Sequence, residues 1–122
     1  MASIMIVDDS ITIRRALRNM LVKNGHKIVA EAGNGEEAVE KYKATMPEIV
    51  TMDLNMPMMD GVSAAKQIIG MFPNANIIML SSVKDKNQVI SAVKSGARSY
   101  ILKPIHESKL IETVDAILKN QP

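Results

Sequence analysis

Five short apolar runs recur along this chain, and they constrain its fold more than any other feature. They are rich in Ile and Val and lack the alternation of apolar and polar residues that a half-exposed strand shows. Runs of this length and composition are typical of strands buried on both faces. The predicted strands are Ile4–Val7, Ile28–Ala30, Ile49–Met52, Ile77–Leu80 and Tyr100–Leu102.

The segments between these runs have helical spacing. In the clearest one, Ile13, Leu17 and Leu21 recur every four residues and form an apolar stripe that can face a sheet. Strands that alternate with helices form a parallel sheet joined by right-handed crossovers. The sequence therefore predicts an α/β fold, a single doubly wound (βα)5 domain over residues 1–122 with helices on both faces and no effector domain.

Several residues indicate where helices begin and end. Ser10 is a predicted N-cap and Gly25 a left-handed stop for a first helix from about Ile11 to Asn24. Asn34 with Glu37 three residues later resembles a capping box. We expect Asp60-Gly61 to form a turn that opens the third helix, and we expect His26 to lie in a solvated turn.

Composition excludes several classes of protein. The chain has no cysteine, so disulfides and thiolate metal sites are excluded. A net charge of +2 and three aromatic residues give no support for nucleic-acid binding. There is no apolar run long enough for a membrane span or signal peptide. We expect a cytoplasmic monomer that binds neither nucleic acid nor membrane.

Polar residues follow four of the predicted strands. Asp8 and Asp9 follow the first, Asp53 the third, Ser81 the fourth and Lys103 the fifth. In a parallel sheet of this kind, functional groups gather outside the carboxyl ends of the strands. If the first and third strands are neighbours, the three aspartates converge.

Three converging carboxylates need a partner. At an effective dielectric constant near 20, two carboxylates about 4 Å apart repel each other by roughly 4 kcal/mol. Either one carboxylate takes up a proton, or a cation lies among them. Oxygen ligands without His or Cys favour Mg²⁺, with Mn²⁺ as the alternative. With Mg²⁺ and Lys103 the cluster would be neutral, ready for an anion such as phosphate, and Asp53 is a candidate nucleophile for an aspartyl phosphate.

The motifs resemble a known family from end to end. They are Ile6-Val7-Asp8-Asp9-Ser10, Asn34-Gly35-Glu36-Glu37-Ala38, Met52-Asp53-Leu54-Asn55-Met56-Pro57, Met59-Asp60-Gly61, Leu80-Ser81-Ser82, Gly96-Ala97 and Tyr100-Ile101-Leu102-Lys103-Pro104. Together they resemble the receiver domain of bacterial two-component response regulators, most closely the stand-alone chemotaxis (CheY-like) type. The resemblance implies a flavodoxin-like sheet of strand order 2-1-3-4-5.

The resemblance also implies residue roles. Asp53 would be the phosphoacceptor, Lys103 would contact the phosphoryl group, and Ser81 and Tyr100 would form the switch. Asp8, Asp9, Asp53 and the backbone carbonyl of Asn55 would hold Mg²⁺. In this family the peptide before Pro104 is cis.

The resemblance further implies partners. The phosphodonor would be the phosphohistidine of a histidine kinase, and the signalling face would be the fourth helix, fifth strand and fifth helix. Its output partner would be a flagellar motor switch or a phosphotransfer protein. The region around the fourth helix is basic, which favours an acidic partner segment; its basic residues are Lys84, Lys86, Lys94 and Arg98.

Other functions remain as alternatives. Within the same class, the chain could be a phosphorelay intermediate or a receiver excised from a longer regulator. A Mg²⁺-dependent aspartyl-phosphate phosphatase of the haloacid dehalogenase type would need an Asp where Asn55 lies. A flavin carrier would need aromatic residues and a phosphate loop, which the sequence lacks. We expect no enzymatic activity beyond self-phosphorylation and slow autodephosphorylation.

Overall fold

The computed structural model describes residues 1–82 and 86–120, over which strands and helices alternate. The strands are β1 (Ser3–Val7), β2 (Lys27–Ala32), β3 (Ile49–Asp53), β4 (Ile77–Ser81) and β5 (Ser99–Leu102). The helices are α1 (Ile11–Lys23), α2 (Gly35–Thr45), α3 (Gly61–Met71), α4 (Lys86–Lys94) and α5 (Glu107–Lys119). Lys84, which the sequence analysis placed in the basic region, lies outside the described residues.

The strands form one parallel sheet of order β2-β1-β3-β4-β5. β1 lies between β2 and β3, and β3 lies between β1 and β4. This confirms the predicted α/β class, the flavodoxin-like strand order and the convergence of the first and third strands. The order reverses at β1 and β3, so their carboxyl ends flank the switch point where such folds place their sites.

Each face of the sheet carries its own apolar layer. One layer packs α2, α3 and α4 on the sheet through residues such as Tyr42, Ile68 and Val89. The other packs α1 and α5 through residues such as Leu17 and Val114. Because β1, β3 and β4 are apolar and buried over most of their length, the packed core lies directly beneath their carboxyl ends.

The caps confirm most of the predicted helix boundaries. The Ser10 side chain accepts a hydrogen bond from Ile13 N, and Gly25 adopts a φ of 90° just after α1. Asn34 caps α2 by accepting from Glu37 N. The Glu37 carboxylate differs from a capping box, because it accepts from Gly33 N rather than from the backbone of the cap residue.

His26 contradicts its predicted place in a solvated turn. Its side chain is buried, and Nδ1 accepts a hydrogen bond from Ala2 N at 3.1 Å. The turn after α1 folds against the start of β1, a contact between residues 24 positions apart that local turn residues do not reveal.

Two features fix the loop between β3 and α3. Asp60 caps α3 by accepting from Ser63 N, which confirms its predicted role. Gly61 packs against the backbone of Asp53, and its N–H donates to Leu54 O at 2.8 Å. A Cβ at Gly61 would lie 1.9 Å from the Asp53 carbonyl oxygen, so this close approach requires glycine.

We expect Gly61→Ala to lower the free energy of unfolding by about 2–3 kcal/mol, because the new methyl group must displace the backbone of β3. Gly70→Ala is the matched control in the same helix. A Cβ at Gly70 has nothing within 4 Å, so this variant should gain up to about 1 kcal/mol from helix propensity. Urea denaturation of both variants checks this expectation, and equal stability of the two would contradict the close approach.

Candidate phosphoryl-acceptor site

The carboxyl ends of four strands bring the predicted side chains to one edge of the sheet. Asp8 follows β1, Asp53 ends β3, Ser81 ends β4 and Lys103 follows β5. The backbone continues the pairing here, because Lys103 N donates to Ser81 O at 2.7 Å. The structure therefore brings together the carboxylates, the hydroxyl and the ammonium group that the sequence placed at separate strand ends.

Lys103 joins the two buried carboxylates. Its Nζ lies 2.8 Å from Asp53 Oδ1 and 3.7 Å from Asp8 Oδ2. Both carboxylates are almost inaccessible to water, while the Lys103 side chain is 28% exposed. Burial lowers the pKa of Lys103, but the hydrogen bond and charge of Asp53, with the charge of Asp8, outweigh it and raise the pKa overall. Lys103 is therefore a fixed positive charge at this site.

Asp8 is held by the turn that follows β1. Its Oδ1 accepts from Ser10 N at 2.9 Å, whereas Oδ2 is buried and makes no hydrogen bond within the described part of the chain. Burial raises the pKa of Asp8, and the neighbouring charge of Asp53 adds to the rise, against the lowering effect of the Ser10 hydrogen bond. The charge of Lys103 lowers the pKa of Asp8 but does not cancel the rise, so a second cation would further stabilise the ionised carboxylate.

Asp8, Asp9 and Asp53 form a group able to hold a metal ion. One carboxylate oxygen from each lies within 4.8 Å of the others, and Asp9 is exposed at the mouth of the group. Three carboxylates and Lys103 leave a formal charge of −2, which one divalent cation would cancel. Oxygen donors and a half-open site fit Mg²⁺, and the Asp8 oxygen without a hydrogen bond is a ready ligand. Asn55 lies in the exposed loop after Asp53.

Ser81 and Tyr100 occupy the same face of the sheet. Tyr100 pairs with Met79, and Ser81 pairs with Leu102, so Ser81 and Tyr100 are diagonal neighbours on adjacent strands. Ser81 Oγ is buried and has no hydrogen-bond partner among the described residues. The Tyr100 side chain is 47% exposed. The buried hydroxyl is thus free to accept or donate a new hydrogen bond.

A mainly apolar cavity of about 550 Å³ lies beside Tyr100, between α4 and β5. Its lining includes Val89, Ile90, Val93 and Leu102. Lys86 and Lys94 are exposed at this cavity, whereas the exposed Arg98 lines a different cavity, between β5 and α5. The described residues of the predicted signalling face therefore combine an apolar depression with a basic border.

Two residues near the site were missed in the sequence. They are Arg14 and Glu31. Arg14, in α1, donates hydrogen bonds to the backbone of Asp8 and to the side chain of Glu31. The strand pattern gave no reason to select Glu31. The available signal was a charged residue within the apolar stripe of the first helix, between Ile13 and Leu17.

The peptide between Lys103 and Pro104 is cis, as expected.

The sheet order and the site define a class of protein. The model of the response regulator receiver domain matches residues 4–115, so the chain belongs to the response regulator receiver family. Proteins of this family act in signalling rather than as metabolic enzymes.

Among similar proteins is chemotaxis protein CheY of Thermotoga maritima, 43% identical over 116 residues, which are 95% of this chain and 97% of that protein. CheY of Bacillus subtilis is 44% identical over 115 residues, 94% of this chain and 96% of that protein. Among solved structures, the CheX–CheY–BeF₃–Mg²⁺ complex from Borrelia burgdorferi matches with a TM-score of 0.91 and 34% identity, covering 95% of this chain and 88% of that chain. These likenesses support a chemotaxis-type role.

We expect Mg²⁺ to stabilise the protein through Asp9. At a concentration one hundred times its dissociation constant, the ion should add about 2.7 kcal/mol to the free energy of unfolding. Asp9→Asn should lose most of this gain, yet be no less stable than the wild type without Mg²⁺, since it removes a repelling charge. Thermal unfolding with Mg²⁺ and with a chelator checks this. Asp115→Asn, on the exposed side of α5, should keep the full gain; an unchanged gain in Asp9→Asn would contradict the site.

Proposed function

We propose that Asp53 accepts a phosphoryl group from the phosphohistidine of a sensor kinase. A carboxylate oxygen of Asp53 would form a bond to phosphorus while the phosphorus–nitrogen bond of the donor breaks and its electron pair returns to the imidazole. The observation that carries this proposal is the Asp53–Lys103 contact of 2.8 Å beside two further carboxylates. This contact supports the proposal, because a nucleophile, a fixed cation and oxygen ligands for a metal would then lie together at one edge of the sheet.

Each group has a definite part in this transfer. Lys103 fixes the Asp53 carboxylate before reaction and would then offset the charge of the phosphoryl oxygens. Asp8, Asp9, Asp53 and the Asn55 carbonyl would hold Mg²⁺, which neutralises further phosphoryl charge when bound. The transfer needs no base, because an ionised carboxylate is already a nucleophile.

We infer that Ser81 and Tyr100 carry the signal away from Asp53. A phosphoryl oxygen on Asp53 would offer Ser81 Oγ a hydrogen-bond partner, which it lacks among residues 1–82 and 86–120. Movement of Ser81 would leave room on the shared sheet face for the Tyr100 ring to turn inward from its exposed position. The α4–β5–α5 surface would change accordingly.

The proposed partners come from the likeness to receiver proteins. A histidine kinase would supply the phosphoryl group, and the output partner would be a flagellar motor switch or a phosphotransfer protein. The CheY relatives and the CheX–CheY complex favour chemotaxis over a general phosphorelay.

No helix among residues 1–82 and 86–120 combines the length and apolar character that a bilayer span requires. A cytoplasmic location and a monomeric state stay predictions.

We expect incubation with Mg²⁺ and acetyl phosphate to add one phosphoryl mass to the protein. Asp53→Asn should abolish this addition, because an amide is no nucleophile and the remaining carboxylates serve as ligands. Intact-mass spectrometry measures the product. Asp60→Asn is the control, since asparagine also caps a helix and Asp60 is exposed in the loop that follows β3. Persistent labelling of Asp53→Asn would overturn the proposal.

We expect activation to protect Tyr100 from nitration by tetranitromethane. In the free protein Tyr100 is exposed and should react, whereas Tyr42 is 4% exposed and serves as an internal control. Burial also raises the pKa of Tyr42, which disfavours the reactive phenolate. With Mg²⁺ and fluoroberyllate, nitration of Tyr100 should fall several-fold, and in Ser81→Ala it should not. Equal protection in that variant would remove Ser81 from the switch.

A further inference from the structure

Arg14 links the acidic site to the edge strand of the sheet. It lies in the first turns of α1, and its side chain is only 18% exposed. Nε donates to Glu31 Oε1 at 3.2 Å, and Nη1 donates to the backbone carbonyl oxygen of Asp8. The guanidinium group therefore holds two points at once, one on β2 and one in the loop that carries the acidic pair.

The carbonyl that Arg14 contacts belongs to the peptide between Asp8 and Asp9. A peptide is planar, so fixing its carbonyl direction also fixes the direction in which the chain enters Asp9. Asp9 has no side-chain hydrogen bond or ion pair among the described residues, so its position depends on the backbone. Asp8 is held separately, through Ser10 N and Lys103.

Arg18 provides a natural comparison on the same helix. Its Nε donates to Glu31 Oε2 at 3.0 Å, so both arginines share one carboxylate. Arg18 is 46% exposed, and among the described residues it makes no hydrogen bond or ion pair with the loop after β1. The two residues therefore differ in the contact with Asp8 and share the ion pair with Glu31.

We propose that Arg14 is a positioning residue for magnesium binding, acting through the Asp8–Asp9 peptide. This inference rests on the proposed use of Asp8 and Asp9 as magnesium ligands. Glu31 anchors the guanidinium, the guanidinium orients the peptide, and the peptide presents Asp9 to the ion. Loss of such a supporting contact typically lowers metal affinity about 10- to 100-fold.

Charge alone predicts the opposite sign. Arg14 is a cation near the carboxylates, so removing its charge should strengthen Mg²⁺ binding if electrostatics dominate. Removing a positioning contact should weaken it. The direction of the change in affinity for a charge-removing variant shows which effect is larger, and a variant that keeps the charge, Arg14→Lys, isolates the positioning contact.

The test is isothermal titration of Mg²⁺ into the wild type, Arg14→Met, Arg14→Lys and Arg18→Met. We expect Arg14→Met to bind Mg²⁺ at least tenfold more weakly and Arg18→Met to bind as the wild type does. Arg14→Lys keeps the charge, but an ammonium group lacks the spaced N–H donors with which the guanidinium group holds both Glu31 and the Asp8 carbonyl. We therefore expect this variant also to bind Mg²⁺ more weakly. Urea denaturation without Mg²⁺ should show that both variants fold, with the larger loss of stability in Arg14→Met, which also loses the hydrogen bond to the Asp8 carbonyl.

Wild-type or tighter binding by Arg14→Met would overturn the inference, as would full recovery in Arg14→Lys. If Arg14→Met does not fold, Arg14→Lys and Glu31→Gln provide the same comparison, and wild-type affinity in both would overturn it too. Phosphoryl addition to the wild type is measured in the same series. If the wild type gains the phosphoryl mass while Arg14→Met keeps its affinity, the inference fails and the proposed function stands; if the wild type gains no mass, the proposed function itself fails.

Discussion

Repulsion among buried carboxylates is the constraint on which the rest of this structure depends. Asp8 and Asp53 are almost completely buried at the ends of adjacent strands. Lys103, which follows the edge strand β5, contacts both carboxylates. One ammonium group cannot balance three carboxylates, so the site keeps a net negative charge that a divalent cation can neutralise. The same imbalance makes the site responsive, because a bound cation and an added phosphoryl group each change the net negative charge of the cluster. A pair of buried opposite charges alone would be a static feature with little net stabilisation.

The sheet makes this charged cluster possible by holding it rigidly. β1, β3 and β4 are packed by apolar layers on both faces, so their carboxyl ends cannot spread apart to relieve the repulsion. Close contacts reinforce the loops above them. Gly61 lies directly on the backbone of Asp53, and the Arg14–Glu31 pair braces the loop after β1 against the edge strand. Tyr100 differs from these groups, because it lies half exposed on an edge strand where rotation disturbs no packed core.

Much of the fold was predictable because its signals are local. Buried parallel strands require continuous apolar runs, and caps such as Ser10 and Asn34 act within three residues of their own position. The convergence of Asp8, Asp53 and Lys103 was also predictable, since in a parallel sheet all carboxyl ends lie at one edge. The prediction for His26 was wrong because its buried state depends on the distant Ala2.

The sequence by itself determined the alternation of strands and helices, the helix caps and the set of acidic, hydroxyl and basic residues at the strand ends, because each depends on periodicity or on near neighbours. Only the tertiary structure decided which atoms of these groups contact each other. It gave Lys103 two carboxylates to contact and brought Arg14 onto the backbone of Asp8. It also buried the Ser81 hydroxyl without a hydrogen-bond partner in the described part of the chain. Such contacts depend on strand order and on helix placement over the sheet, which arise from packing across the whole chain and leave no mark in local sequence pattern.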